Sequence, residues 1–148
     1  MLLSGERKVL VTGGTGFVGR ALLACLVARP DLRLFAWVRL ANARVPFGVV
    51  PVLLEDDLTG LGSQLDGLEV VIHCAARVHV MNDKTSEPLA EFRKVNVDLA
   101  LDCARTAVQA GARRFIFLSS IKVNGEGTVP GHPFTANDVP QPDGAYAQ

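Results

Sequence analysis

The chain has 148 residues, 49% of them hydrophobic and 20% charged, enough for one globular core and too little for two ordinary domains. Lys and Arg number 15, as do Asp and Glu, so the formal net charge is zero. A nucleic-acid or anionic-membrane surface needs a basic excess on one face, and neither partner is expected.

The N-terminus, MLLSGERKVLVTGG, has no basic leader ahead of a long apolar run. The longest apolar runs fall well short of a membrane span, so a cytoplasmic protein is the expectation. Lys8 to Thr12, KVLVT, reads as a strand buried on both faces. FVGRALLACLVAR, from Phe17, reads as a helix that Pro30 stops. Leu32 to Val38 is a second strand, and Val49 to Leu54 a third, with Pro51 suggesting an edge position. Glu69 to Ala76 is a fourth strand. A long helix follows from about Pro88 to Ala110, with Ser86 as its cap and Gly111 as its stop. Arg113 to Ser120 is a fifth strand. Strands alternating with helices imply parallel strands and right-handed crossovers, hence a doubly wound α/β sheet of about five strands. Residues 1–120 form the expected core. Residues 121–148, with four prolines and four glycines, read as a functional loop or a tail.

Three cysteines, Cys25, Cys74 and Cys103, lack C-x-x-C spacing, which argues against a disulfide framework or a zinc site. Cys25 and Cys103 fall on apolar helix faces and are expected in the core. His79 and His132 have no partner at metal-ligand spacing, so no metal is expected. His73, in an apolar strand, reads as a packed core residue.

VTGGTGFVG stands where the first strand hands over to the first helix. Gly13, Gly16 and Gly19 are spaced three apart, and Gly14, Gly16 and Gly19 also satisfy G-x-G-x-x-G. One glycine permits the tight turn, one admits a pyrophosphate to the backbone, and one lets helix and strand pack closely. Phe17 and Val18 open the helix whose N–H groups and dipole would face the phosphates. The implied ligand is a dinucleotide and the fold Rossmann-like. An acid about 20 residues on would bind the 2′-OH of NAD. AWVRLANAR offers none; Arg39 stands there instead, with Arg44 nearby. An arginine can pair with a 2′-phosphate and stack on adenine, which tilts the cofactor from NAD toward NADP. A solvent-exposed arginine at a strand end is the alternative.

TGGTGFVG, DDL at Asp56 to Leu58, HCAA at His73 to Ala76, VNV at Val95 to Val97, SSIKVNG at Ser119 to Gly125 and AYAQ at the end occur in a telling order. Together they resemble the N-terminal part of an extended short-chain dehydrogenase/reductase of the NAD-dependent epimerase/dehydratase family. SSIKVNGE further resembles bacterial UDP-sugar 4-epimerases and related enzymes of surface-polysaccharide synthesis. The resemblance implies that Asp57 and Leu58 meet the adenine, and that Ala75 and Ala76 line the cofactor near the nicotinamide-side ribose. A solvated loop is the other reading of Asp56 and Asp57. Asn96 falls on the stripe Leu89, Phe92, Val95, Leu99, Cys103, which the helical period buries. A buried amide needs partners or costs about 1–3 kcal/mol. Its family counterpart lies near the active site; a bond to a neighbouring backbone group is the alternative.

The family reaction is hydride transfer between a sugar carbon and nicotinamide, with the alcohol proton removed as well. A tyrosine can take that proton when its pKa falls from about 10 toward the working pH. In the family, the nicotinamide and a lysine four residues on supply the shift. By resemblance Tyr146, the chain's one tyrosine, is the base, Ser120 holds the substrate oxygen, and Ser119 faces the nicotinamide. The implied substrate is a nucleotide sugar, and family members often dimerise through the helix carrying Asn96. The lysine would be residue 150, so the sequence reads as cut inside the tyrosine–lysine motif, before the later strands and the substrate-binding segments. A chain of this length is expected to be catalytically inactive and prone to associate along the fifth strand, while still able to bind dinucleotide. An NADPH-dependent keto-sugar or steroid/flavonoid-type reductase is the alternative enzyme, and a non-catalytic dinucleotide-binding module the alternative outside catalysis.

Overall fold

A computed structural model of the chain describes residues 5–53, 65–78 and 87–148. Five strands, β1 (Arg7–Thr12), β2 (Leu32–Val38), β3 (Val49–Leu53), β4 (Leu68–His73) and β5 (Arg114–Phe117), form one sheet in the order β3-β2-β1-β4-β5. Every neighbouring pair is parallel. The chain runs outward from β1 to β3, then returns to lay β4 on the other side of β1. The order therefore reverses between β1 and β4, the place where an open α/β sheet leaves a crevice beyond its strand ends.

The central strands are apolar on both faces because both are covered. On one face Val9, Val11, Leu34, Ala36 and Val38 pack on Leu23 of helix α1 (Phe17–Leu26). On the other, Leu10, Phe35, Trp37 and Val71 pack on Cys103 and Ala107 of a later helix, Leu99–Gln109. Leu23 is fully buried, and burial of a leucine contributes about 1.5–3 kcal/mol. Pro51 lies on β3, which pairs only with β2, so the missing N–H is lost from an edge as expected. β5 is the opposite edge among the described residues, and Phe117 on it is half exposed.

Several boundaries differ from expectation. β4 ends at His73 because Cys74 to Ala76 leave the ladder to line a hollow. β5 spans only Arg114–Phe117. Cys25 is exposed, since Leu23 and Gly19 alone fill the buried face of α1. Cys103 is buried, and burial pushes its thiol up to about 12, leaving an inert packing group. The long helix is three segments: α2 (Pro88–Arg93), a π-helical turn (Lys94–Asp98) and α3 (Leu99–Gln109). Glu87 occupies the cap position of α2; Ser86 and His79 lie outside the described residues. Of the expected stripe, Cys103 is fully buried and the other four are half-buried. Among the described residues no helix is long and apolar enough to cross a membrane.

Candidate functional site

The glycine turn occupies the crevice between the ends of β1 and β4. Gly13 has φ +65°, and a Cβ there would lie 2.7 Å from the backbone nitrogen of Ala75. Only glycine lets the turn pass this close to the strand end beside it. A Cβ on Gly19 would lie 2.2 Å from the Gly13 carbonyl oxygen, so α1 rests directly on the turn. Gly16 caps α1 with no side-chain bond, the arrangement that lets first-turn N–H groups receive a phosphate. Phe17 and Val18 form that first turn, with Phe17 pointing into solvent. The close backbone approach and the uncapped helix start fit the pyrophosphate of NAD or NADP.

Three hollows follow one another along the strand ends. The first, about 240 Å³, is lined by Gly13, Gly16, Trp37, Arg39, Ala75 and Ala76 among others. The second, about 450 Å³, shares Thr15 and Arg39 with it and adds Leu40, Ala43 and Arg44. The third, about 240 Å³, shares Ala75 and Ala76 with the first and is walled by Asn96, Ser119, Ser120 and Tyr146. The sequence therefore brings its glycine turn, its strand-end arginine and its serine–tyrosine pair onto one continuous track. Asp57 and Leu58 lie outside the described residues.

Thr12 and His73 were not singled out for the site by sequence, yet they hold its floor. They face each other at the ends of β1 and β4. Thr12 Oγ1 accepts the N–H groups of Cys74 at 3.2 Å and Ala75 at 3.1 Å. With both lone pairs engaged, the hydroxyl donates to His73 Nδ1, 3.0 Å away. That leaves the imidazole proton on Nε2, which is buried without a partner among the described residues. Phe115 and Phe117 stack on the ring. The one signal in the sequence is a polar residue closing an apolar strand.

Thr12→Val keeps the shape and removes both acceptor sites. It is expected to cost about 1–3 kcal/mol, measured by urea denaturation, because the Ala75 N–H loses its partner and the Cys74 N–H keeps only the Thr12 carbonyl. Burial also pushes the His73 pKa below the ordinary histidine value of about 6.5. The unfolded chain then binds a proton more readily than the folded one. Stability is whole above about pH 6.5 and declines as pH falls below it toward the folded value. A urea midpoint that drops between pH 7.5 and 5.5, with a smaller drop in His73→Gln, is the expected result.

Asn96 sits within the π-helical turn. Its Oδ1 accepts the Arg77 N–H at 2.7 Å and its Nδ2 donates to the Arg77 carbonyl at 3.0 Å. Both ends of the amide are thereby satisfied, and the strand end carrying Ala75 and Ala76 is clamped one residue further on. The extra residue of a π turn rotates the following helix face, which accounts for the break in period. The Arg77 guanidinium lies 5.5 Å over the Phe92 ring, and Phe92 meets Tyr146 edge-on at 5.9 Å. Ala147 is buried and its N–H bonds the Gly144 carbonyl at 3.2 Å, which fixes the turn presenting the tyrosine. Ser120 caps the short helix Ile121–Val123; its hydroxyl accepts the Lys122 N–H at 3.2 Å and keeps its own proton to donate.

A model of the NAD dependent epimerase/dehydratase family matches residues 9–148. The chain belongs to this family. Among its relatives in the family, UDP-glucose 4-epimerase of Vibrio cholerae is 41% identical over 98% of this chain and 45% of its own length. The 3 beta-hydroxysteroid dehydrogenase type 7 of Mus musculus is 31% identical over 84% of this chain and 35% of its own. The structure of MoeE5 in complex with UDP-glucose and NAD matches with a TM-score of 0.74 and 27% identity, over 95% of this chain and 44% of that one. The epimerase/dehydratase-family chain thus spans less than half the length of each of these proteins.

Proposed function

We propose that the chain is the cofactor-binding portion of an NAD(P)-dependent oxidoreductase acting on a nucleotide sugar, in the first place a UDP-sugar 4-epimerase. The observation that carries this reading is the third hollow, where Ser120 and Tyr146 share walls with Ala75 and Ala76 of the dinucleotide track. The 41% identity to a UDP-glucose 4-epimerase supports the choice of substrate.

A bound nicotinamide would supply the hydride acceptor and donor, and Ala75 and Ala76 would line its site. Gly13, Gly16 and the first turn of α1 would hold the pyrophosphate, and Arg39, with no acid at the end of β2, tilts the cofactor toward NADP. Ser120 donates its hydroxyl proton to the sugar oxygen and fixes it. Tyr146 takes the proton of that sugar hydroxyl as the carbon is oxidised, and returns it to the ketone oxygen when the other face is reduced. Asn96 keeps the strand end in place throughout. Epimerisation balances without net cofactor use.

Supplying UDP-glucose to the full-length protein and following inversion at C4 by NMR tests this directly. The expected result is a galacto product with no net cofactor consumption. Stoichiometric NADPH consumption with a keto substrate would instead establish the second reading, a reductase, which Arg39 and the steroid dehydrogenase relative favour.

A further inference from the structure

We propose that Phe92 is the positioning residue for the acid–base tyrosine, its ring, packed under the Arg77 guanidinium, fixing the direction of the Tyr146 ring. The inference rests on the reading of Tyr146 as the proton-transferring group and adds what aims it.

Three segments far apart in sequence meet at this ring. Arg77 follows β4, Phe92 belongs to α2, and Tyr146 comes from the final turn. The guanidinium carbon of Arg77 lies 5.5 Å from the centre of the Phe92 ring. Tyr146 meets the same ring with centroids 5.9 Å apart and planes at 61°, the edge-to-face arrangement that aromatic pairs prefer. Asn96, four residues beyond Phe92, grips the Arg77 backbone through both ends of its amide, so the cation and the ring beneath it are tied to one helix. Phe92 is half-buried and joins neither apolar cluster that covers the sheet, whereas Leu99 and Cys103 of the same stripe do. Nor is it among the walls of the third hollow, which include Asn96, Ser120 and Tyr146. Its ring therefore meets the tyrosine without meeting a sugar in that hollow. The backbone alone does not aim a tyrosine. Gly144, at φ +79°, and the Ala147 N–H on its carbonyl fix the turn, but rotation about the two side-chain torsions still swings the phenol oxygen. Proton transfer needs that oxygen and the Ser120 hydroxyl on one sugar oxygen. The Lys122 N–H holds the Ser120 hydroxyl at 3.2 Å, and Phe92 does the corresponding work for the tyrosine. A reacting group misplaced by about 1 Å costs on the order of 100-fold in rate.

The test is steady-state kinetics of the full-length protein on a UDP-sugar, with Phe92→Leu, Phe92→Tyr and Tyr146→Phe made singly and F92L/Y146F made together. Phe92→Leu is expected to lower kcat about 10- to 100-fold with KM within about threefold, because the lost contact matters only as the proton moves. Phe92→Tyr keeps an aromatic ring and is expected to hold kcat within about fivefold of the unsubstituted protein. In the Tyr146→Phe background the phenol oxygen is already gone, and Phe92→Leu is expected to cost less than about twofold. Circular dichroism checks the fold of each variant. If Phe92→Leu loses its fold, Phe92→Met fills the space without a ring and carries the same comparison. A kcat within a few-fold of the unsubstituted value in Phe92→Leu overturns the positioning role. So does an equal loss with and without the tyrosine oxygen, which marks a residue that only supports the fold. Tyr146→Phe alone decides the reading beneath: full activity there overturns both, whereas a low kcat there beside a normal Phe92→Leu overturns the role of Phe92 only.

Discussion

Gly19→Ala is expected to lower dinucleotide affinity at least about a hundredfold and to destabilise the fold by about 2–4 kcal/mol. The added Cβ would stand 2.2 Å from the Gly13 carbonyl oxygen, 2.8 Å from its carbon and 2.9 Å from the Gly14 Cα. All three are backbone atoms, so no rotamer change relieves the clash. α1 must lift off the turn, and Leu23, fully buried on the same helix, loses its packing as it goes. The N–H groups of the first turn then no longer aim where the phosphates must sit. Loss of two charge-assisted bonds, each about 1.5–3 kcal/mol, accounts for the affinity. Gly127→Ala is the control, because a Cβ there meets nothing within 4 Å. Urea midpoints and cofactor titrations on the pair measure both effects. Equal behaviour of the two variants would contradict the packing described.

Tyr146→Phe is expected to lower kcat of the full-length protein by about 10²–10⁴, the usual contribution of a positioned acid–base group. The substitution removes the phenol oxygen and keeps the ring, so the edge contact with Phe92 at 5.9 Å survives. Ala147 stays buried, and the loop should hold its place. Dinucleotide affinity is therefore expected to match that of the unsubstituted protein. Steady-state turnover of a UDP-sugar measures the first, and titration the second. A kcat within a few-fold of the unsubstituted value would remove Tyr146 from the chemistry.

The parts of the fold that were legible depend on short-range signals. Apolar runs separated by helical stretches gave five strands, and Pro51 marked an edge because a lost N–H is tolerated only there. The glycine spacing marked the turn, since only glycine fits positions that a Cβ would fill with backbone. What stayed hidden depends on long-range partners. Thr12 looks like any strand residue until β4 supplies two N–H groups and an imidazole to it. Asn96 marked a break in an apolar stripe, but its partner, the Arg77 backbone, lies 19 residues away, and the π turn that presents it has no periodic signature. Cys25 was misplaced because the apolar side of α1 is broader than the strip that packs. Arg44 reaches the second hollow only through the turn closed by Leu40 and Ala43.

Trp37 is the chain's one tryptophan and lines the first hollow beside Gly13 and Ala75. Its fluorescence reports directly on whether a dinucleotide occupies the track. Titrating the chain with NADPH and NADH is expected to give saturable quenching of Trp37, with energy transfer to the dihydronicotinamide, and Gly19→Ala should abolish both. Unchanged Trp37 emission up to millimolar concentrations of either reduced dinucleotide would contradict the claim that this fold is a nicotinamide-dinucleotide site.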